Sequence, residues 1–328
     1  MLKLTPPRCR AQRGLTLVEL MVALTIGMFL TAALMLLFAN SALHGKELDR
    51  AGVQIENGRF ATEMLRDEIA LAGFYGAVPR ASVTKTTPAL CGTDPSTGWS
   101  NTAPLSFPAP VVGVQSSTTT ACTTNRRSGT EALVVRRVAV DATNIASLAA
   151  GGQQFYLQDS FCSTDVLPFA FAKASASLGL KARDCAAVNS ARAWVERIYF
   201  VASCNRCGAG GDSSPTLKRA ELVGNAWEVT ALVDGVESMR FDFGVDTTGD
   251  GQPDSFVDAA SVTDWGQVMA VKAHLLTRSL DKTATLQQSE TAQSFKLGGV
   301  VVNTTADGYL RRAYSQTVRI VNPSAALE

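Results

Sequence analysis

The chemically most unusual residue of this sequence is Glu19, a carboxylate inside a long apolar segment. It is the only ionisable side chain in the run LTLVELMVALTIGMFLTAALMLLF, which extends from Leu15 to Phe38. About 20 apolar residues are enough for a helix to cross a bilayer. A carboxylate in such a helix costs about 2.5 kcal/mol or more unless it is paired, and residues of this kind usually have a function. We therefore predict that Glu19 binds a positively charged partner.

A basic segment precedes the apolar run. Residues 1–14 carry Lys3, Arg8, Arg10 and Arg13 and no acidic residue. Positive charge keeps that end of a membrane helix in the cytoplasm, so the rest of the chain is predicted to lie across the membrane. A cleaved secretory signal would have an apolar core of roughly 7–15 residues and a small-residue cleavage site soon after it. This core is longer, which leaves a plain signal anchor as the alternative.

The cysteines indicate an oxidising compartment. Six of them lie on the predicted exported side, where disulfides are expected: Cys91, Cys122, Cys162, Cys185, Cys204 and Cys207. Connectivity cannot be read from sequence. Our working hypothesis is sequential pairing, which joins 91 to 122, 162 to 185 and 204 to 207. The C-x-x-C spacing of the last pair also occurs in redox and metal sites, but here it ends a strand-like segment instead of opening a helix.

One segment has the oxygen donors of a calcium loop, DTTGDGQPD. Calcium prefers oxygen ligands at alternate positions around a sharp glycine turn, and the donors here are Asp246, Thr248, Asp250, the Gln252 carbonyl and Asp254. Val257 stands where a calcium loop has its bidentate glutamate, although Asp258 follows it. A hairpin turn is the competing interpretation, because Gly249, Asp250 and Gly251 are turn-forming residues.

Catalysis and nucleic-acid binding are not predicted. The sequence contains no G-x-S-x-G, H-E-x-x-H or Walker motif, and His44 and His274 lie far apart. The chain has 30 Lys and Arg residues against 29 Asp and Glu residues, and removal of the four positive residues of segment 1–14 leaves 26 against 29. We expect neither an enzyme nor a nucleic-acid-binding protein.

The amino terminus resembles the type III signal of type IV pilins and pseudopilins. The family pattern is a glycine followed by phenylalanine or leucine and then T-L-x-E; here Gly14, Leu15, Thr16, Leu17 and Glu19 match it. The resemblance implies that a prepilin peptidase cuts after Gly14 and methylates the new amino terminus at Leu15. It also implies that Glu19 docks on the terminal ammonium of a neighbouring subunit during assembly. Phenylalanine is the family norm after the cut, so leucine is a departure.

The pattern of the remaining chain predicts an α+β fold, with a long N-terminal helix packed on an antiparallel β-sheet domain. The helix would cross the membrane over residues 15–38 and continue as an amphipathic helix over residues 39–76, with apolar positions at Val53, Phe60, Met64, Ile69 and Leu71. Gly73 and Gly76 would end it. Residues 77–328 would form the disulfide-containing domain, with a loop-rich start and alternating strand patterns at 131–140, 193–203, 217–223, 236–245, 266–279 and 313–322.

The carboxy-terminal part resembles PilW-like minor pilins, relatives of PulJ-type pseudopilins. The similar segments are VDGVESMRFDFGVDTTGDGQPDSF, WGQVMAVKAHLLTRS and YSQTVRIVN. The resemblance implies a minor pilin of the bacterial inner membrane whose periplasmic domain joins other minor pilins at the pilus tip and primes assembly. Its expected partners are minor and major pilins, the inner-membrane assembly machinery, the prepilin peptidase and a tip adhesin, with adhesion and motility as outcomes. A type II secretion pseudopilin is the alternative, and a membrane-anchored exported enzyme is a remote one.

Overall fold

The computed structural model describes residues 16–78, 83–149, 151–173, 175–282 and 292–324. The chain divides into two compact units, of which the first ends at Arg50 and the second begins at Ala51. Helix α1, Leu17–Leu71, contributes residues to both units. The predicted α+β arrangement, with a long apolar helix followed by an antiparallel β-domain, is confirmed.

In the first unit, α1 presents apolar side chains on all sides. Leu17, Met28, Phe29 and Phe38 are among the exposed ones. Such a helix is stable only in a lipid environment or against other apolar surfaces. Among the described residues, α1 is the one helix that is long and apolar enough to cross a membrane, judged by length and composition.

In the second unit, the last turns of α1 pack on the β-domain through one narrow stripe. The buried positions are Gln54, Gly58, Ala61, Leu65 and Ile69, which follow a helical spacing of three to four residues. The predicted apolar face is wrong at Val53, Phe60 and Leu71, which are 45%, 56% and 37% exposed. Two of the five buried positions, Gly58 and Ala61, are small residues, which let the helix approach the sheet closely.

The end of α1 follows the glycine prediction. The helix stops at Leu71, and Gly73 and Gly76 both have positive φ angles of 71° and 66°. Glycine adopts this left-handed conformation without steric cost, which is why it commonly follows a helix end. The Gly73 amide then donates to the Arg136 carbonyl oxygen at 2.9 Å and attaches the helix end to the sheet.

A branched sheet forms the larger part of the β-domain. Strand β7, Ala191–Ala202, is its centre and pairs with three antiparallel neighbours. The order on the main path is β3-β4-β7-β5-β6, while β8 joins β7 to β9. The other strands are β3 (Val111–Val114), β4 (Ala132–Val138), β5 (Tyr156–Asp159), β6 (Phe169–Ala172), β8 (Thr216–Val223) and β9 (Ala226–Asp234).

A second antiparallel sheet has the order β11-β10-β12-β15. Its strands are β10 (Val236–Val245), β11 (Ser255–Val257), β12 (Val268–Arg278) and β15 (Arg311–Arg319). Two small pairs complete the domain: parallel β1 (Thr84–Thr86) with β2 (Ser106–Pro108), and antiparallel β13 (Ser294–Leu297) with β14 (Val300–Asn303). Helix α2, Val321–Ser324, follows β15.

One apolar core joins the last turns of α1, the branched sheet and the second sheet. It combines Leu65 and Ile69 of α1 with Leu133 and Tyr199 of the branched sheet and with Phe241 and other residues of the second sheet. Removal of one large buried side chain from such a core typically costs 2–5 kcal/mol. The second compact unit begins at Ala51, because the last turns of α1 belong to this core.

A buried ion pair crosses the branched sheet beside this core. Arg136 of β4 is fully buried and faces Glu196 of β7, with 2.8 Å between Arg136 Nε and Glu196 Oε1. Glu196 Oε2 also accepts from the Trp194 indole at 3.4 Å. Burial of both charges is tolerable only because each has its partner.

The narrow stripe generates a prediction at Gly58. A Cβ at this position would overlap the Tyr314 ring, so Gly58→Ala should lower the free energy of unfolding by about 1–3 kcal/mol. This loss should occur although alanine favours helix by about 1 kcal/mol over glycine. The measurement is urea unfolding of the detergent-solubilised protein.

Gly52→Ala is the matched control, since no atom lies within 4 Å of a Cβ there. It should be neutral or stabilising by up to about 1 kcal/mol. In a Tyr314→Ala background the cost of Gly58→Ala should disappear. Equal effects of the alanine substitutions at 52 and 58 would contradict the proposed close contact.

Candidate functional site

The carboxylate of Glu19 is held at the first turn of α1. Both the Thr16 amide and the Thr16 hydroxyl donate to Glu19 Oε2 at 2.9 Å, and the Glu19 amide donates to Thr16 Oγ1 at 3.3 Å. This reciprocal arrangement is a capping box, in which two side chains satisfy amides that the first turn leaves free. Both hydrogen bonds to the carboxylate use Oε2. Among the described residues, Oε1 accepts none.

The remaining parts of the predicted processing site are Gly14 and Leu15. Both lie outside the described residues. Cleavage between them, and methylation of Leu15, therefore stay predictions. The capping box was missed at the sequence level, although its signature, Thr followed three positions later by Glu ahead of an apolar run, is present in T-L-V-E.

The three predicted cysteine pairs are disulfide bonds in the structure. They join Cys91 to Cys122, Cys162 to Cys185 and Cys204 to Cys207. The first bond closes the loop-rich segment before β4, and Cys122 packs into an apolar cluster. The last bond closes a short turn after β7, where the Lys218 ammonium donates to the Asn205 carbonyl oxygen at 2.8 Å. Closing the two longer loops contributes about 3–4 kcal/mol each in the chain-entropy account.

The predicted calcium loop connects β10 to β11. Asp246 is buried, and its carboxylate accepts from three backbone amides of its own loop. Oδ1 accepts from Thr248 at 3.1 Å and from Gly249 at 2.6 Å, and Oδ2 accepts from Gly251 at 2.8 Å. Burial raises the pKa of Asp246, but the hydrogen bonds from the amides of Gly249, Gly251 and Asp250 and from the Thr248 hydroxyl together hold that pKa below its ordinary value of 3.8.

The other carboxylates of the loop also accept hydrogen bonds from groups of the same loop. Asp254 Oδ2 accepts from the hydroxyl and the amide of Thr247, both at 2.7 Å, and these contacts lower its pKa. Asp250 Oδ1 accepts from the Gln252 amide at 2.8 Å. The carboxylates thus stabilise the turn by holding its amides.

These contacts describe a hairpin turn. The Asp254 amide donates to the Val245 carbonyl oxygen at 2.9 Å, and Ser255–Val257 pairs with the end of β10. Over the part of the chain that the structure describes, no group of three or more His, Cys, Asp or Glu side chains is arranged for a metal ion. Calcium binding at Asp246, Thr248, Asp250, Gln252 and Asp254 therefore stays a prediction.

His274 lies in a hydrogen-bonded row across the second sheet. Its Nδ1 is 2.7 Å from Ser315 Oγ on β15, and its Nε2 is 3.1 Å from Asp242 Oδ2 on β10. A serine nucleophile is usually activated by Nε2 while Nδ1 faces the carboxylate, so the order here is the reverse. The row connects three strands, and we assign it a structural role.

Two family models match the chain. Residues 9–35 match the model described as Prokaryotic N-terminal methylation motif, and residues 198–322 match Type IV Pilus-assembly protein W. The resemblance to PilW-like minor pilins is confirmed. The two segments together cover less than half of the 328 residues. Searches of curated proteins and of solved structures found no match.

The matched segments map onto elements described above. The methylation motif contains the capping box of Thr16 and Glu19, and the second match runs from Ile198 in β7 to Asn322 in α2. Such families consist of pilus components rather than enzymes, and they imply interaction with other pilus proteins. The apolar start of α1 and the methylation motif together fit a membrane-anchored pilin.

The loop from Asp246 to Asp254 generates a prediction about pH. Asp246→Asn replaces one acceptor oxygen by a donor, so the free energy of unfolding should fall by about 1.5–3 kcal/mol near neutral pH. The folded pKa of Asp246 lies below its ordinary 3.8. The stabilisation is therefore complete above pH 3.8 and is lost as pH falls through the folded pKa. Denaturant unfolding across this range measures the difference.

Asp250→Asn is the control within the same loop, because Asp250 is exposed and holds one amide. It should cost clearly less than the change at Asp246. A difference at Asp246 that stays constant below pH 3.8 would contradict the role of its charge. Repeating the unfolding with calcium chloride tests the calcium prediction, which requires stabilisation of the wild type and none of Asp246→Asn.

Proposed function

We propose that this chain is a minor pilin that primes type IV pilus assembly in a tip complex with other minor pilins. The observation that carries the proposal is the combination of the methylation-motif match at residues 9–35 with the pilus-assembly match at residues 198–322. The first supports a processed, membrane-inserted helix. The second supports a domain specialised for pilus assembly.

The proposed mechanism depends on the start of the mature helix. A prepilin peptidase cuts after Gly14, and the methylated ammonium of Leu15 becomes the amino terminus. In lipid, the ammonium of a neighbouring subunit is the partner that neutralises Glu19. The capping box is compatible with this role, because it occupies Oε2 and orients the carboxylate at the end of the helix. Glu19 then has Oε1 available for the ammonium.

The domain that follows supplies recognition. In the proposed topology, the basic segment 1–14 stays in the cytoplasm and the β-domain lies in the periplasm, where its three disulfides are stable. After assembly the domain stands at the pilus tip. Its partners are other minor pilins, the major pilin and the inner-membrane assembly machinery, with a tip adhesin as a further partner.

A type II secretion pseudopilin is the second candidate, because pseudopilins share the pilin-type amino-terminal signal that the methylation-motif match at residues 9–35 supports. Neighbouring genes separate the two. Genes for other minor pilins and a large adhesin favour the pilus, and genes for a secretion channel favour secretion.

Intact mass of the membrane-extracted protein tests the processing step. We expect a chain that begins at N-methylated Leu15 and in which six thiols appear only after reduction. A substitution at Gly14 should leave the uncleaved precursor. A chain that retains residues 1–14 in a strain with active prepilin peptidase would contradict the pilin pathway.

Substitution of Glu19 tests the docking step. Glu19→Ala should leave membrane insertion intact and reduce surface piliation by at least about tenfold, because loss of one partner from a buried ion pair costs about 3–5 kcal/mol. Glu19→Gln separates charge from capping, since its amide oxygen can still accept from Thr16. We expect both variants to be equally deficient.

Glu56→Ala is the matched control on the same helix, where the carboxylate is exposed. This variant should be cleaved normally by the prepilin peptidase, and its strain should show normal surface piliation. Normal piliation of the Glu19→Ala strain would refute docking, and normal piliation of Glu19→Gln alone would assign Glu19 a capping role only.

A further inference from the structure

Four arginines far apart in sequence line one cavity of the second unit. The cavity has a volume of about 430 Å³ and is bordered by Arg127, Arg240, Arg278 and Arg311. It lies where the segment before β4 meets β10, the end of β12 and the segment from β14 to β15. So many guanidinium groups in one place require compensating charge.

Three of the four arginines have carboxylate partners. Arg311 is almost fully buried and binds Glu237 Oε2 through Nε and Asp307 Oδ2 through Nη2, both at 2.6 Å. Arg127 Nη2 lies 3.2 Å from Glu237 Oε1. The pairing with Arg311 lowers the pKa of Asp307 to about 2, so this carboxylate is ionised at neutral pH. The third pair, on the wall formed by β10, joins Arg240 to Glu131 at 3.1 Å.

Arg278 is the arginine without a carboxylate partner among the described residues. Its Nη2 donates to the Ser213 carbonyl oxygen at 3.3 Å, and its guanidinium stacks on the Tyr309 ring at 4.0 Å from the centroid. Its Nε is buried and donates to no described atom. Four guanidinium groups thus face the carboxylates of Glu237, Asp307 and Glu131, which leaves one positive charge.

The surroundings of Arg278 disfavour its positive charge when the cavity holds no ligand. Burial lowers the pKa of Arg278, while Tyr309 and Glu237 raise it and the guanidinium groups of Arg127 and Arg311 lower it further. A negative ligand in the cavity would supply the missing partner for this charge. Because the site is partly shielded from water, such a charge-assisted contact is stronger than at an open surface.

We infer that this cavity is a binding site for a carboxylate, supplied by an acidic side chain of a neighbouring protein subunit. The fork of a guanidinium matches the two oxygens of a carboxylate, and Arg311 already holds Glu237 in this way. Val300 and Val301, which are 41% and 58% exposed, border the cavity and offer apolar surface to the stem of a glutamate. The choice of a subunit as the source rests on the proposed function.

Binding of a short peptide to the mature full-length protein in detergent tests the site. The probe is a blocked peptide with two adjacent glutamates between glycines, and the same peptide with glutamines is its neutral counterpart. Calorimetry should detect binding of the glutamate peptide, little binding of the glutamine peptide, and weakening at high salt. Arg278→Gln should reduce the affinity by at least about tenfold. Arg312→Gln, a change at an exposed arginine of β15, should have no effect.

Two further arms keep the result interpretable. If Arg278→Gln fails to fold, Arg127→Gln takes its place. It changes a more exposed arginine of the cavity and should also weaken binding of the glutamate peptide. Succinate distinguishes the source: peptide binding tighter than succinate supports a protein segment, and equal or tighter binding of succinate overturns the subunit as the source.

Equal affinities of wild type and Arg278→Gln for the glutamate peptide would refute the site, and so would equal binding of the glutamate and glutamine peptides. The assay measures binding by the purified protein and needs no pilus. A Glu19→Ala protein should bind the peptide normally although it does not support piliation, so peptide binding and piliation test the two proposals separately.

Discussion

The β-domain depends on the ion pair between Arg136 and Glu196, because a fully buried guanidinium has to be matched where it lies. Loss of one partner from such a pair typically costs about 3–5 kcal/mol. The backbone of Arg136 adds a second role: its carbonyl oxygen accepts from Gly73 and its amide donates to Pro110 at 2.8 Å. The residue that carries the buried charge thus also joins the end of α1 to the chain entering β3 and to the sheet. A shift of β4 along β7 would break these contacts together.

Carboxylates in this chain play different roles because their surroundings differ. Glu196 is buried beside a fixed cation, and Asp246 is buried beside backbone amides, so each is stabilised within the β-domain. Glu19 belongs to a segment whose apolar side chains are exposed. Thr16 satisfies part of its hydrogen-bonding capacity and none of its charge. Among the described residues no cation faces Glu19, and under the proposed function a neighbouring subunit provides that partner during assembly.

The sequence predicted elements well where local pattern and tertiary environment agree. Strand β10 was predicted with its observed bounds, 236–245, and β12 within two residues at either end, since β10 alternates from Met239 to Phe243 and β12 is a long, largely apolar segment. Strand β9, Ala226–Asp234, was missed because it is largely exposed and lies beyond β8, where no buried face produces alternation. The apolar face of α1 was misplaced at Phe60 because close packing favours Gly58 and Ala61 over large side chains. That preference depends on Tyr314, which is far away in sequence.

The same distinction explains which parts of the candidate sites were predictable. The glutamate and its threonine belong to one short local motif, so their spacing was informative, whereas the cysteine pairing was a hypothesis that the sequence could not decide. The arginine cavity has no such signal: Arg127, Arg240, Arg278 and Arg311 belong to four separate segments, and each looks like an ordinary strand or loop charge. Only the folded arrangement reveals that, within the described residues, three have a carboxylate partner and Arg278 has none. Charge balance within a cavity is a property of tertiary structure, because it depends on which side chains the fold brings together, and no short motif in the sequence records it.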